Sequence, residues 1–283
     1  MLKIITDSSS NITQEEAAAL GVEVIPLIVT FGSREFRDGV DLDADRFYEM
    51  LASEKEYPRT SQINVDTFEE IFLTAKANND TLLVILISSS LSGTYGAAVK
   101  AQENVGYNGV YVYDSLATTV MLKTLVMEAV KNCAVSAEEI VGKLDELRAR
   151  CELYAIVDTL EYLHKGGRLK RSAAMLGTLF NVKPIVAVAK SGTVDLVGKA
   201  VGTRSAIKNI AKKVCEDDID GNYPVYYVYS GEKEKCVKLI DTITPHGDGF
   251  AADATVICPV IGAHVGPGAA GICFVRKKKN DIQ

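Results

Sequence analysis

The residues best placed to do chemistry sit directly behind apolar runs. Asp80-Thr-Leu-Leu-Val-Ile-Leu-Ile87 is followed by Ser88-Ser-Ser-Leu-Ser92-Gly93-Thr-Tyr95, which puts four serines and a glycine where a strand hands over to a helix expected from Thr94. Hydroxyls and the free N–H groups of a helix N-terminus converge there on a small anion. Capping that helix needs only one such residue, and this loop offers four. The arrangement recurs twice: Leu2 to Thr6 leads into Asp7-Ser8-Ser9-Ser10-Asn11, and Gly109 to Tyr113 leads into Asp114-Ser115. Parallel strands end on one edge of their sheet, so the three loops are expected to line one crevice. His264 stands apart in Val260-Ile-Gly262-Ala-His264-Val-Gly266-Pro267-Gly268, read as a loop between two apolar strands whose glycines permit close approach of a ligand. His164 and His246 read as surface residues.

Ser92, His264 and Asp7 or Asp114 supply the residue types of a serine hydrolase. The strand-to-helix turn, however, is Ser90-Leu-Ser92-Gly93-Thr94 and lacks the Gly-x-Ser-x-Gly elbow. GxxxxGK[ST] does not occur, which argues against a P-loop nucleotide site. The loops read as a holder for a small anion, without the machinery to transform it.

Positioning these residues requires α/β architecture. The chain has 283 residues, long enough for two domains with a core in each, and its 47% hydrophobic and 24% charged residues are those of an ordinary globular protein. We divide it into an N-terminal α/β domain over residues 1–160, a parallel sheet with helices on both faces, and a C-terminal α+β domain over residues 161–283. A net charge of -6 gives no general reason to bind nucleic acid. The basic clusters Lys165 to Arg171 and Lys277 to Lys279 are its local exceptions and the basis of an alternative reading as a nucleic-acid-binding regulator. The N-terminus lacks the apolar core of a signal peptide, and no run reaches the roughly 18 apolar residues of a membrane span, so a cytoplasmic location is expected. Six scattered cysteines show no metal or disulfide spacing and read as reduced thiols, with no metal and no cofactor anticipated.

Along the chain, Thr13 to Glu16 and Ser136 to Glu139 are capping boxes that start helices, the first ending at Gly21. Val22 to Val29 reads as one edge strand because it contains Pro26. Phe31 to Phe36 reads as a hairpin, Asp43 to Leu51 and Asp66 to Ala77 as helices, Tyr57 to Gln62 as a polar loop, and Leu116 to Val130 as helical. Leu153 to Val157 is a strand assigned to the first domain. Lys183 to Ala189 and Thr193 to Gly198 form a hairpin about Ser191-Gly192.

Thr6-Asp7-Ser8-Ser9-Ser10, Thr60-Ser61-Gln62, Ser88 to Tyr95, Asp114-Ser115, Leu163-His-Lys-Gly-Gly-Arg168, Asn181-Val-Lys-Pro184 and His264-Val-Gly-Pro-Gly268 together resemble the DegV family, in family order over nearly the whole chain. The resemblance implies a bacterial fatty-acid-binding protein, the subunit of a fatty acid kinase that presents its ligand to a separate ATP-dependent kinase for acyl phosphate and phospholipid synthesis. It implies carboxylate contacts at Thr60 and Ser92, a backbone contact at Gly93, and His264 at the same end of a site between the domains, assisting phosphoryl transfer. Ser61, Asp7 and Ser115 are further pocket candidates. The family's arginine ahead of the helix near Ser205 is out of register here: Val201 or Thr203 aligns with it, and Arg204 is adjacent. No stable membrane insertion is implied.

Two or three hydrogen bonds to a carboxylate contribute on the order of 5 kcal/mol. A tail of about 14 methylenes contributes on the order of 11 kcal/mol before ordering costs. The tail is thus expected to set affinity and the polar loops to set which end faces out. A standalone esterase or lipase remains the enzymatic alternative.

Overall fold

A strand that is apolar on both faces needs a cover on each, and that requirement organises the chain. The computed structural model describes residues 1–169, 181–246, 250 and 254–278. The first part runs β1 (Leu2–Asp7), α1 (Gln14–Leu20), β2 (Val22–Ile25), β3 (Ile28–Phe31), β4 (Arg34–Arg37), α2 (Ala44–Ser53), β5 (Arg59–Ser61), α3 (Val65–Asn78), β6 (Thr81–Leu86), α4 (Thr94–Val105), β7 (Val110–Asp114), α5 (Thr119–Lys131) and α6 (Ala137–Arg150). The second runs β8 (Cys151–Ile156), α7 (Glu161–Lys165), β9 (Val182–Val188), β10 (Val194–Val201), α8 (Thr203–Cys215), β11 (Tyr226–Tyr229), α9 (Glu234–Ile243), β12 (Ala254–Val256), α10 (Pro259–Val265) and β13 (Ala270–Val275).

The first sheet is parallel, in the order β2-β1-β6-β7. Ile5, Leu82, Val84 and Leu86 pack on Phe68, Phe72, Ala98 and Ala101 of α3 and α4. Their neighbours Ile4, Leu83 and Ile85 pack on the opposite side against Leu122 and Leu125 of α5 and Leu144 of α6. The second sheet has the order β10-β9-β8-β13-β11-β12, antiparallel except for β11 with β12. Helices α8 and α9 cover one face through Ile207, Ile210, Leu239 and Ile243. The other face contributes Leu153, Val186 and Cys273 to the cluster that holds α5 and α6. These two helices therefore lie between the sheets, and one core serves both.

Both capping boxes form, Thr13 with Glu16 and Ser136 with Glu139. Four expectations change. Strand β8 pairs with β9 and β13, so sheet membership switches at Cys151 and not at the boundary set at residue 160. The run from Val22 to Val29 is two strands in two sheets, parted at Pro26, where the missing N–H ends one ladder. Arg59–Ser61 is a strand, paired to β3 with Val29 opposite Thr60, in a small antiparallel sheet β4-β3-β5. Helix α5 starts at Thr119 instead of Leu116: left-handed backbone at Leu116 and again at Thr119 (both φ 47°) keeps helical geometry from running through the preceding residues.

The sheets are also joined by a buried cation. Arg148 of α6 donates through Nε to Ser115 O (3.0 Å), and through Nη2 to Leu116 O (2.6 Å) and Ala189 O (2.8 Å), linking the loop after β7 to the end of β9. Ser90 Oγ donates to Ser191 O in the same hairpin turn (2.9 Å). Arg148→Ala leaves these carbonyls unpaired, and a loss of roughly 3 kcal/mol is expected in urea unfolding, at about 1–3 kcal/mol per buried unsatisfied group. Arg148→Lys should recover little, since a single ammonium cannot reproduce the fork. An unchanged midpoint in the alanine variant would show that water replaces the guanidinium.

Candidate functional site

Position in the site starts with a carboxamide. Asn11, in left-handed conformation (φ 62°) at the end of the turn after β1, donates from Nδ2 to Val256 O (2.9 Å) and accepts the Cys258 N–H on Oδ1 (2.8 Å). The Tyr48 hydroxyl donates to Ile257 O (3.1 Å). Together they fasten the entry to α10 against the first part of the chain. Gly262 lets α10 lie on α2, since a Cβ there would come within 2.7 Å of the Phe47 ring. His264 thus sits in the last turn of a short helix and not in a loop; of the glycines around it, Gly266 and Gly268 have positive φ.

At that point α10 meets β5 and the loop after β6 over a cavity of about 360 Å³, within the roughly 300–1,000 Å³ of small-molecule sites. Leu27, Ile87, Leu91, Leu163, Val260 and Ile261 give it apolar walls, and Thr60, Ser61, Gln62, Ser92, Gly93, Arg168 and His264 its polar ones. The lining comes from both parts of the chain. Thr60 Oγ1 and His264 Nε2 lie 2.8 Å apart across 204 residues of sequence. Nδ1 of His264 is buried without a hydrogen-bond partner among the described residues and packs against Gly166, where a Cβ would come within 2.1 Å of it. The ring proton is accordingly assigned to Nε2, with Thr60 accepting, which leaves the threonine hydroxyl free to donate into the cavity. Burial, assisted by the charge of Arg168, lowers the His264 pKa to about 4, so the imidazole is neutral at pH 7.

Arg168 is the residue the sequence reading passed over, having taken it only as part of the basic cluster Lys165 to Arg171 and of a family motif. Gly167 has positive φ (71°), and the chain turns there so that the guanidinium enters the cavity. Its Nε donates to Leu91 O (2.9 Å) and Nη1 to Gly166 O (2.5 Å). No carboxylate pairs with it among the described residues, and burial alone lowers its pKa. An arginine directly after a glycine pair and an apolar turn was the available signal. Gln62, against which Gly93 packs, was likewise seen only as part of a motif.

Of the four loop serines, only Ser92 lines the cavity; its Oγ accepts from Thr94 N (3.2 Å) and bonds Thr94 Oγ1 (2.9 Å). Ser88 Oγ accepts from Ser90 N, and the Ser89 N–H donates to Asp114, so these residues brace the loop. Asp7 and Ser115 do not line the cavity. Asp7 joins β1 to β6 by accepting from Ile87 N (2.7 Å) and Ser9 N (3.0 Å), and Ser115 Oγ accepts from Ala117 N (3.1 Å). Arg204 is exposed and outside the cavity. His264 bonds Thr60 rather than Ser92, and Asp7 and Asp114 are engaged with backbone, so the hydrolase trio is not assembled.

Of the basic clusters, Lys165 pairs with Glu161 and Lys278 with Glu146, and Lys170, Arg171 and Lys279 lie outside the described residues. His164 is exposed, and the side chain of His246 lies outside the described residues. All six cysteines are free thiols. Among the described residues, no group of three His, Cys, Asp or Glu is arranged to hold a metal, and no helix is long and apolar enough to cross a membrane.

This is an α/β protein with a polar-ended apolar cavity between a parallel and a mixed sheet. The model for "Uncharacterised protein, DegV family" matches residues 1–277, and the chain belongs to the DegV family. A DegV domain-containing protein of Clostridium perfringens is 31% identical, over 98% of this chain and 99% of that one. A fatty-acid-binding DegV family protein from Thermus thermophilus has a solved structure with a TM-score of 0.85 and 28% identity, covering 98% of this chain and 99% of its own. A stearic acid-binding protein from Eubacterium ventriosum gives 0.86 and 27%, with the same coverage.

Asp38 lies beneath α10. Burial raises its pKa to about 7 and the charge of Asp7 adds to this, while Ser8 and the Val260 amide, near but outside good hydrogen-bond geometry, oppose it. The unfolded carboxyl ionises near its ordinary value of about 4, so this group's contribution to stability falls as pH rises from about 4 to about 7. His264 acts in the opposite sense, gaining as pH rises from about 4 to about 6.5. Asp38→Asn should therefore raise the urea midpoint, relative to the unaltered protein, more at pH 8 than at pH 4.5. A shift equal at both would assign Asp38 an ordinary pKa.

Proposed function

We propose that this chain binds a long-chain fatty acid and presents its carboxylate to a separate ATP-dependent kinase. The observation that carries the reading is Arg168: a guanidinium without an acidic partner among the described residues, beside Thr60, Ser92 and His264, at the polar end of an apolar cavity. A monovalent anion with a hydrocarbon tail matches both features, and relatives of similar fold bind such acids. Thr60 and Ser92 donate hydroxyls to the carboxylate, Gly93 leaves the backbone open beside it, and Arg168 keeps it ionised. The apolar walls set affinity, because each buried methylene contributes about 0.8 kcal/mol.

An ionised carboxylate is also the nucleophile that phosphorylation requires. One of its oxygens bonds to the γ-phosphorus of ATP as the bond from that phosphorus to the β–γ bridging oxygen breaks, giving acyl phosphate and ADP. The sequence has no GxxxxGK[ST] loop, so the nucleotide is assigned to the partner. Neutral His264 holds Thr60 in its donating orientation while a carboxylate oxygen attacks the γ-phosphorus.

Protein purified from cells should carry a fatty acid, identified by extraction and mass spectrometry; a homogeneous sugar phosphate or nucleotide there would remove the reading. Thr60→Ala and Ser92→Ala should each weaken acid binding roughly tenfold, and Arg168→Ala by more, as hydrogen bonds to a charged group contribute about 1.5–3 kcal/mol. Unchanged affinity in the Thr60/Ser92 double variant would place the headgroup elsewhere. With a kinase supplied, His264→Ala should lower phosphoryl transfer more than binding, and equal losses would make it a carboxylate ligand only.

A further inference from the structure

Thr118 is a polar residue of the cavity wall that a bound carboxylate does not explain. Thr60, Arg168 and His264 line the cavity and also a second space bordered by Lys55, Tyr57 and Arg59, which marks the end where the carboxylate faces out. Thr118 borders only the cavity, in company with Val194 of β10 and Val265 of α10. It comes from the loop after β7, which contributes none of the headgroup residues. A threonine directly ahead of a helix ordinarily accepts from an amide of the first turn. Thr118 stands directly ahead of α5 and makes no such bond. The residue is 6% exposed, and its Oγ1 is buried without a hydrogen-bond partner among the described residues. The other buried threonines each have one: Thr6 with Ile85 O (2.7 Å), Thr94 with Ser92 Oγ (2.9 Å), Thr119 with Asn11 Oδ1 (3.5 Å) and Thr124 with Val120 O (2.8 Å).

A hydroxyl in an apolar wall is costly when its hydrogen bonds are unmade, and a plain methylene chain lying against it leaves them unmade. We infer that Thr118 is a tail subsite for a hydroxyl: the acid this cavity fits best is a long-chain hydroxy fatty acid, with its carboxylate at Thr60, Ser92 and Arg168 and its chain hydroxyl paired with Thr118. This rests on the fatty-acid reading above. Rotation about χ1 exchanges the threonine methyl and hydroxyl, so the oxygen reaches the cavity without movement of the backbone. A ligand hydroxyl both donates and accepts, as the threonine hydroxyl does, and the pair is satisfied whichever of them donates. Selection then acts in two ways. The hydroxy acid gains a bond, and the unsubstituted acid strands a polar group that water can reach only while the cavity is empty.

The test measures stearic acid, oleic acid and a series of hydroxystearic acids, with the hydroxyl at successive carbons, by calorimetry on delipidated full-length protein. One positional isomer should bind the unaltered chain roughly tenfold more tightly than it binds the Thr118→Val variant. Stearic acid should instead bind the variant roughly twofold to fivefold more tightly, because valine keeps the shape and sets no polar atom against the methylenes. Thr118→Ser should keep the preference for the same isomer. Effects of opposite sign on two ligands are a pattern that misfolding does not produce. Equal losses for all the acids, or no isomer that separates the unaltered chain from Thr118→Val, with stearic acid still bound, would overturn the subsite and leave the fatty-acid reading standing. An effect of Thr118→Val confined to oleic acid would pair the hydroxyl with a double bond and overturn the subsite likewise. Failure of the unaltered protein to bind any of the acids would overturn both readings.

Discussion

A buried polar group at the end of a strand must find a partner, and in this chain the partners come from the other sheet. Arg148 satisfies carbonyls of the loop after β7 and of β9 at once, and Asn11 satisfies both a carbonyl and an amide at the entry to α10. An unmade bond at such a place costs about as much as a made one contributes, so the two sheets are held in one relative setting. The 2.8 Å contact between Thr60 and His264 depends on that setting. Neither residue is positioned by its own neighbours in sequence: Thr60 takes its place from pairing with Val29, and His264 from a helix fastened by Asn11 and Tyr48.

Electrostatics in the cavity follow from burial more than from pairing. His264 is neutral because water is excluded and a guanidinium is close. Arg168 stays charged and is answered only by backbone carbonyls among the described residues, which is an expensive way to keep a cation indoors unless something anionic visits. The same logic applies with reversed sign beneath α10, where burial pushes the Asp38 pKa up to about 7, more than Ser8 and the Val260 amide offset.

Much of this was legible in the sequence, and the exceptions have physical reasons. Apolar runs ending in hydroxyls located β1, β6 and β7, and capping boxes fixed two helix starts, because these signals are local. Strand β5 was read as loop because Arg-Thr-Ser has no β pattern of its own and is extended only by its pairing with β3. The helix carrying His264 was read as loop because glycine content suggested freedom, whereas Gly262 is there for close packing on Phe47. Strand β8 went to the wrong sheet since apolar alternation says that a strand exists and not what it pairs with. Asp7 and Ser115 have the residue types of a site and use them on backbone, and type alone cannot separate the two uses. Arg168 was hidden because its place depends on a positive φ at Gly167.

The span between Thr60 and His264 also has a consequence for biosynthesis. A ribosome delivers the parallel sheet long before it delivers residues 259–265, so the nascent chain holds β1, β6 and β7 while the cavity's mouth has no far wall. The cavity is thereby closed only once residues 259–265 have been made, and a product terminated ahead of them lacks that wall.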